Sequence, residues 1–318
     1  MKKDFSKYLF RASQIGILMT GTIGLTNAEK TKLQNYLKRE QEAESGLLDD
    51  KGKSVKPLTS IMQEDVKALI EKRDSNALPK TMQTELRKIH RAETYNRRFN
   101  FTNKFTQKGI KMEEDAISLY QTYRNLKGIK TFFLNNKVRL ENDFFSGEPD
   151  LTDTNDVSNC KEGFDTKASW ELETFPFKDD KLDQNYEYQN QVYMDLTDTP
   201  KWTTVYTLVN CTEHQLFNEK QKWFYALEMP SEPDDKYYDQ YIDKMKDCEK
   251  RFLFDYDAYV KRYNALMEIS RKEWFENGYD IPMEERIVEK VSFRSKETLD
   301  EMKERIVIAR KYLNSLNK

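Results

Sequence analysis

Apolar side chains recur at helical spacing over residues 106–126, at Ile110, Ala116, Ile117, Leu119, Tyr120 and Tyr123, which predicts a long amphipathic helix there. Upstream, 27–44 is a charged amphipathic helix with a capping signal at Thr26 or Asn27. Residues 45–60 read as a loop, and two further helices are expected over 60–73 and 80–98. Residues 5–20 read as a short helix, with Ser13 as its cap.

The texture then changes. Residues 130–142 and 143–152 read as two strands with a turn at Glu141–Asn142. "GFDTKAS" (163–169) is a third strand, and "KWTTVYTLVN" (201–210), rich in β-branched and aromatic residues, is a fourth. Between them, 183–197 returns to helical spacing. From Pro230 onward the chain reads as helical and charged, with a loop at 277–283 and a closing helix from Ser295. The expected fold is therefore α/β (α+β), a small mixed central sheet flanked by helices. The expected organisation is a helical N-terminal segment (1–105) packing on the core, a core over 106–210, and a helical C-terminal extension (211–318), in a single compact domain overall.

Composition adjusts this picture in three places. With 10 Gly and 8 Pro in 318 residues, helix is favoured over an all-β design. The net charge of −2 does not predict nucleic-acid binding by bulk charge, yet a local basic channel is compatible with it. Cys160, Cys211 and Cys248 are far apart and form no C-x-x-C, which fits a reducing compartment. No apolar run has membrane-spanning length and no signal peptide is evident, so a soluble, cytoplasmic protein without a membrane partner is expected.

The stretch that bears on chemistry is "GFDTKASW" (163–170), where Asp165 and Lys167 sit two apart and would share one face of a strand. Alone the pair reads first as a solvated surface ion pair. The same spacing recurs at Asp49/Lys51, Asp65/Lys67, Asp179/Lys181, Asp234/Lys236 and Glu301/Lys303. Glu-Pro-Asp also occurs twice, at 148–150 and 232–234. The first copy follows an aromatic strand and precedes the Asp165 strand. The ordered set of Glu113 on a helix, Asp150 at a strand end, Asp165 and Lys167 on the next strand and Gln189 on the next helix is the candidate site. Asp150 and Asp165 are hard-cation ligands by type, the Thr166 carbonyl is a third, and Glu113 completes a second metal or a water-mediated contact. Two such ions suit in-line displacement at phosphorus, and Lys167 would orient or deprotonate the water or stabilise developing charge.

In this order, Gly109–Glu113–Ala116, "GEPD" (147–150), "DTK" (165–167) and "YQNQVYM" (188–194) resemble the PD-(D/E)XK nuclease superfamily, and within it the YqaJ-like viral recombinase branch that includes phage lambda exonuclease. The resemblance covers 106–210, reaches "FRAS" (10–13) weakly, and covers the last hundred residues poorly. It implies a restriction-endonuclease-like core and Mg²⁺ (Mn²⁺ as the alternative), one or two ions. It also implies 5′→3′ digestion at duplex DNA ends, partnership with a single-strand annealing protein, and a homo-oligomer, a trimer. If phage-encoded, the protein would work in the host cytoplasm. The family's active-site glutamine maps onto Gln189, and its segment holding a DNA 5′-phosphate onto Arg11 and Ser13. Asp165 stands where the family more often has Glu, and Glu114, next to Glu113, is the alternative helix carboxylate.

DNA contacts are expected from Arg11 and Ser13 and from "YNRRFNFTNKFTQKGIK" (95–111), where Arg97, Arg98, Lys104 and Lys108 interleave with aromatic residues. The same stretch also reads as a loop whose aromatics pack inward. Other readings of the chain are an endonuclease or a repair or defence nuclease on the same core, a degenerate core that grips DNA without cutting, and a structural protein built on the helical ends.

Overall fold

The computed structural model describes residues 2–48, 52–75, 77–98, 103–129, 138–154, 156–157, 160–228 and 235–317. The chain divides into two compact units, one of residues 1–10, 14–99 and 300–318, the other of residues 11–13 and 100–299.

The first unit is helical: α1 (Ile15–Leu18), α2 (Asn27–Glu44), α3 (Ser60–Asp74) and α4 (Lys80–Thr94), with most of α11 (Lys296–Ser315). Thr26 caps α2 in a capping box with Glu29. Its core gathers Leu25, Leu33, Leu58, Val66 and Leu69. α4 stops before Asn96, whose φ of 51° is left-handed, so the helix is shorter than the expected 80–98. The expected helix over 5–20 is replaced by a two-residue strand, β1 (Phe10–Arg11), a 3₁₀ turn and the single turn of α1. Ser13 lies inside the 3₁₀ turn, and Gln14 occupies the N-cap of α1 without a side-chain hydrogen bond, so Ser13 is not a cap.

The second unit carries the sheet. α5 (Lys104–Leu126) starts at Asn103, whose side chain accepts the Thr106 N–H. The strands that follow are β2 (Leu140–Glu141), β3 (Phe145–Gly147), β4 (Leu151–Thr152) and β5 (Gly163–Ala168). Most of the strand expected over 130–142 lies outside the described residues. β2 and β3 form an antiparallel hairpin whose turn is held by Asn142 Oδ1, which accepts the N–H groups of Phe144 and Phe145. α6 (Gln184–Thr197) then crosses over to β6 (Lys201–Thr207), parallel to β5, as a parallel pair requires.

After β6 come α7 (Glu213–Ala226), α8 (Asp235–Phe252), α9 (Tyr256–Tyr263), α10 (Arg271–Glu276) and β7 (Ile287–Phe293). β7 pairs antiparallel with β6 and completes the sheet β4–β5–β6–β7. This strand overturns the expectation of an all-helical C-terminal region. Its inward positions Lys290 and Ser292 break the apolar alternation by which a strand is read. Lys290 is satisfied there by donating to the carbonyls of Phe177, Lys178 and Asp180 at 2.7, 2.9 and 2.5 Å.

The sheet is covered on both faces, which explains the near-continuous burial of β5. Phe164 and Val205 turn to one face, against Tyr120 and Tyr123 of α5. Asp165 and Thr204 turn to the other, towards α6, where Asn190 donates to Thr204 Oγ1 at 2.9 Å and to Ser292 Oγ at 3.0 Å. The architecture is thus the small mixed sheet flanked by helices that the pattern predicts. Cys160, Cys211 and Cys248 are free and buried. Among the described residues no helix is long and apolar enough to cross a membrane.

Candidate active site

Glu113 of α5, Asp150 just ahead of β4, Asp165, Thr166 and Lys167 of β5, and Gln189 of α6 all border one cleft of about 610 Å³. Four separate elements therefore deliver the set that the sequence order singles out. On α5, Glu113 borders the cleft, whereas Glu114 is exposed, so the helix carboxylate of the site is Glu113. On α6, Gln189 faces Asp165. Gln191 is turned away and bonded to Glu187 Oε1, the Phe293 carbonyl and the Ser295 N–H.

Asp165 is 2% exposed. Its Oδ2 is held by the Lys167 ammonium as an ion pair, and its Oδ1 accepts from Gln189 Nε2 at 3.4 Å. The carboxylate–lysine pair at 165/167 is therefore not a solvated surface bridge. Asp150 keeps some exposure as a residue, but its carboxyl points inward and accepts the Thr166 N–H at 3.1 Å. Burial, and then the neighbouring Asp165 and Glu113 carboxylates, push the Asp150 pKa well above the usual range, against the pull of Lys167. For Lys167, burial opposes the charge, yet Asp165 and Asp150 outweigh it and raise the pKa. Lys167 is thus held as an ammonium against Asp165. Tyr193, which also borders the cleft, is kept a neutral phenol by burial and by the Asp165 and Asp150 carboxylates.

Among the described residues no group of three His, Cys, Asp or Glu side chains is gathered into a ready ligand shell. The donor chemistry nevertheless fits a hard divalent cation. The carboxylates are oxygen donors, and the inward carboxyl of Asp150 carries a like-charge cost from Asp165 that a cation would relieve and that Lys167 relieves only in part. Thr166 Oγ1 is buried with no hydrogen-bond partner among the described residues.

The expected DNA contacts are placed unevenly. Arg97 and Arg98 belong to the first unit, where Arg98 pairs with Glu93. Arg11 and Ser13 belong to the second unit but do not border the cleft. Lys104 is exposed, 4.7 Å over the Trp170 ring and 3.8 Å from Glu219, next to the cleft-lining Phe105. Lys108 is the correction: it is 0% exposed, and its ammonium donates to the Trp170 carbonyl at 3.0 Å. Burial drives its pKa down to about 8. An interior carbonyl, with Phe254 5.3 Å away, takes the place of the expected phosphate. Phe99 and Phe101 lie outside the described residues. Sequence reasoning gives no role to Tyr186, whose ring lies 4.9 Å from Lys167 Nζ, or to Tyr193. Their place in a tyrosine-rich helix (186, 188, 193) was the available signal.

No protein-family model matches the sequence, and no curated protein matches it. In structure the chain is similar to a phage-related exonuclease from Haemophilus somnus 129PT, with a TM-score of 0.54 and 19% identity over 98% of this chain and 95% of that one. It is also matched to the alkaline exonuclease LHK-Exo from Laribacter hongkongensis, with a TM-score of 0.46 and 9% identity over 98% of this chain and 91% of that one. The first likeness establishes a shared fold, and the chain has the fold of that phage-related exonuclease.

Proposed function

We propose that the protein is a metal-dependent DNA exonuclease that hydrolyses phosphodiester bonds, 5′→3′ at duplex ends, in phage-type recombination. One observation carries this reading: Glu113, Asp150, Asp165, Lys167 and Gln189, from four elements, border a single cleft. The fold shared with a phage-related exonuclease supports it. In this reading the site is that of a PD-(D/E)XK enzyme of the YqaJ-like branch.

Asp150 and Asp165 hold the cation, with Glu113 and the Thr166 carbonyl as further ligands. Mg²⁺ bound there would supply Lewis-acid polarisation of the scissile phosphate and a more acidic attacking water. Lys167 lies against Asp165, and its ammonium stabilises charge developing on the phosphoryl oxygens. Gln189 fixes the direction of the Asp165 carboxylate through its amide. Lys104 and Phe105, beside the cleft, offer a phosphate contact and a stacking surface. A single-strand annealing partner and a homotrimer belong to the same proposal.

The test is digestion of linear duplex labelled at the 5′ or the 3′ end, with and without Mg²⁺, beside a closed circle. Release of the 5′ label first, only with metal, and an intact circle are expected. A cut circle would make the protein an endonuclease. DNA binding without cutting would make it a degenerate core.

A further inference from the structure

Tyr193 borders the cleft but has no part in the chemistry above. Its ring has two close partners. One is Trp202, with ring centroids 5.0 Å apart. The other is Gly147, where an added Cβ would stand 2.9 Å from Tyr193 Cε1. Glycine at 147 thus lets the turn that carries Asp150 lie directly on the ring.

The hydroxyl is a junction. It donates its one proton to the Glu148 carbonyl at 3.3 Å and accepts from Gln189 Nε2 at 3.0 Å. The same Gln189 nitrogen also donates to Asp165 Oδ1 at 3.4 Å. Because the phenol proton is committed to Glu148, a lone pair faces Gln189, which must then present its NH₂ group and not its carbonyl. That choice is what lets Gln189 donate to Asp165. Between Glu148 and Asp150 stands only Pro149, whose ring fixes φ, so the position of the Glu148 carbonyl is passed on to Asp150.

We infer that Tyr193 is a positioning residue, which couples the Gly147–Asp150 turn to Gln189 and so sets Asp150 against Asp165. The inference rests on the nuclease reading, in which those two carboxylates hold the cation.

The experiment compares wild type with Tyr193→Phe, Gln189→Met and the double variant. Mn²⁺ binding is measured by calorimetry, Mg²⁺-dependent digestion of end-labelled duplex by initial rates, and folding by thermal unfolding. Y193F is expected to stay folded and to bind Mn²⁺ about 10-fold more weakly, the scale of losing an outer partner of a metal ligand. The Mg²⁺ concentration for half-maximal cutting should rise by a similar factor with KM for DNA unchanged. The double variant should be no worse than the poorer single one, because both break the same relay. A folded Y193F with wild-type Mn²⁺ affinity and Mg²⁺ midpoint overturns the inference, as do additive effects in the double variant. Should Y193F not fold, Gln189→Met carries the test, and unchanged Mn²⁺ affinity in it overturns the inference. A wild type that neither binds Mn²⁺ nor cuts overturns the nuclease reading, and the inference with it.

Discussion

The backbone N–H of Thr166 donates to Asp150 Oδ2 across 3.1 Å, so the residue between Asp165 and Lys167 holds a carboxylate from a different segment. Asp150, just ahead of β4, and Asp165, on the nearly dry β5, are thereby kept side by side. The arrangement is electrostatically costly in itself, as the raised pKa of Asp150 shows.

Asp150→Asn should separate that cost from the activity it serves. The amide oxygen can still accept the Thr166 N–H, while the like-charge contact with Asp165 disappears. Digestion of duplex DNA should fall by about 100-fold or more, the scale of losing one charge-stabilising group. The thermal midpoint should be no lower than that of wild type. A less stable but fully active variant would contradict the assignment.

Lys108 gives a pH signature of stability. In the folded chain burial holds its pKa at about 8, whereas an exposed lysine titrates near 10.5. Between those values the unfolded chain binds more protons, so Lys108 makes stability rise with pH across this window, and its cost is full below pH 8. A depression from 10.5 to about 8 corresponds to about 3 kcal/mol. Lys108→Met removes that cost but leaves the Trp170 carbonyl without this donor, a loss of about 1 kcal/mol. In urea unfolding, K108M should exceed wild type by about 2 kcal/mol at pH 7 and lose that advantage by pH 10. The other titrating groups are common to both proteins, so a difference that does not change with pH would contradict the burial.

Gly163→Ala probes the strand beneath the site. A Cβ at residue 163 would stand 2.1 Å from the Trp202 ring, which lies across the strand pair. Either the ring or β5 must move, at about 1–3 kcal/mol. Because Asp165 is two residues away, activity per folded molecule should fall as well. Thermal unfolding and initial rates on the same preparation read both effects.

Much of this site was legible because chemistry-bearing residues lie on successive elements in a fixed order. Glu113, Asp150, Asp165, Lys167 and Gln189 each sit on the helix or strand end that local spacing predicts, and those elements meet at one cleft. What was not legible depends on partners distant in sequence. β7 is hidden because its inward Lys290 looks like a solvated charge until the carbonyls of the 177–180 segment are seen around it. Lys108 fails the rule that lysines face water for the same reason, since the Trp170 carbonyl is 62 residues away. Tyr193 looks like core packing, and only the approach of Gly147 and Glu148 gives its hydroxyl a task.

The three cysteines have a practical consequence. Burial pushes Cys160 and Cys248 up to about 11 and Cys211 up to about 12, so almost no thiolate exists at neutral pH. The native chain is therefore close to silent towards maleimide dyes. A single cysteine introduced on the surface can carry a fluorophore or spin label with the wild-type background left in place, which makes conformational reporting accessible without first building a cysteine-free variant.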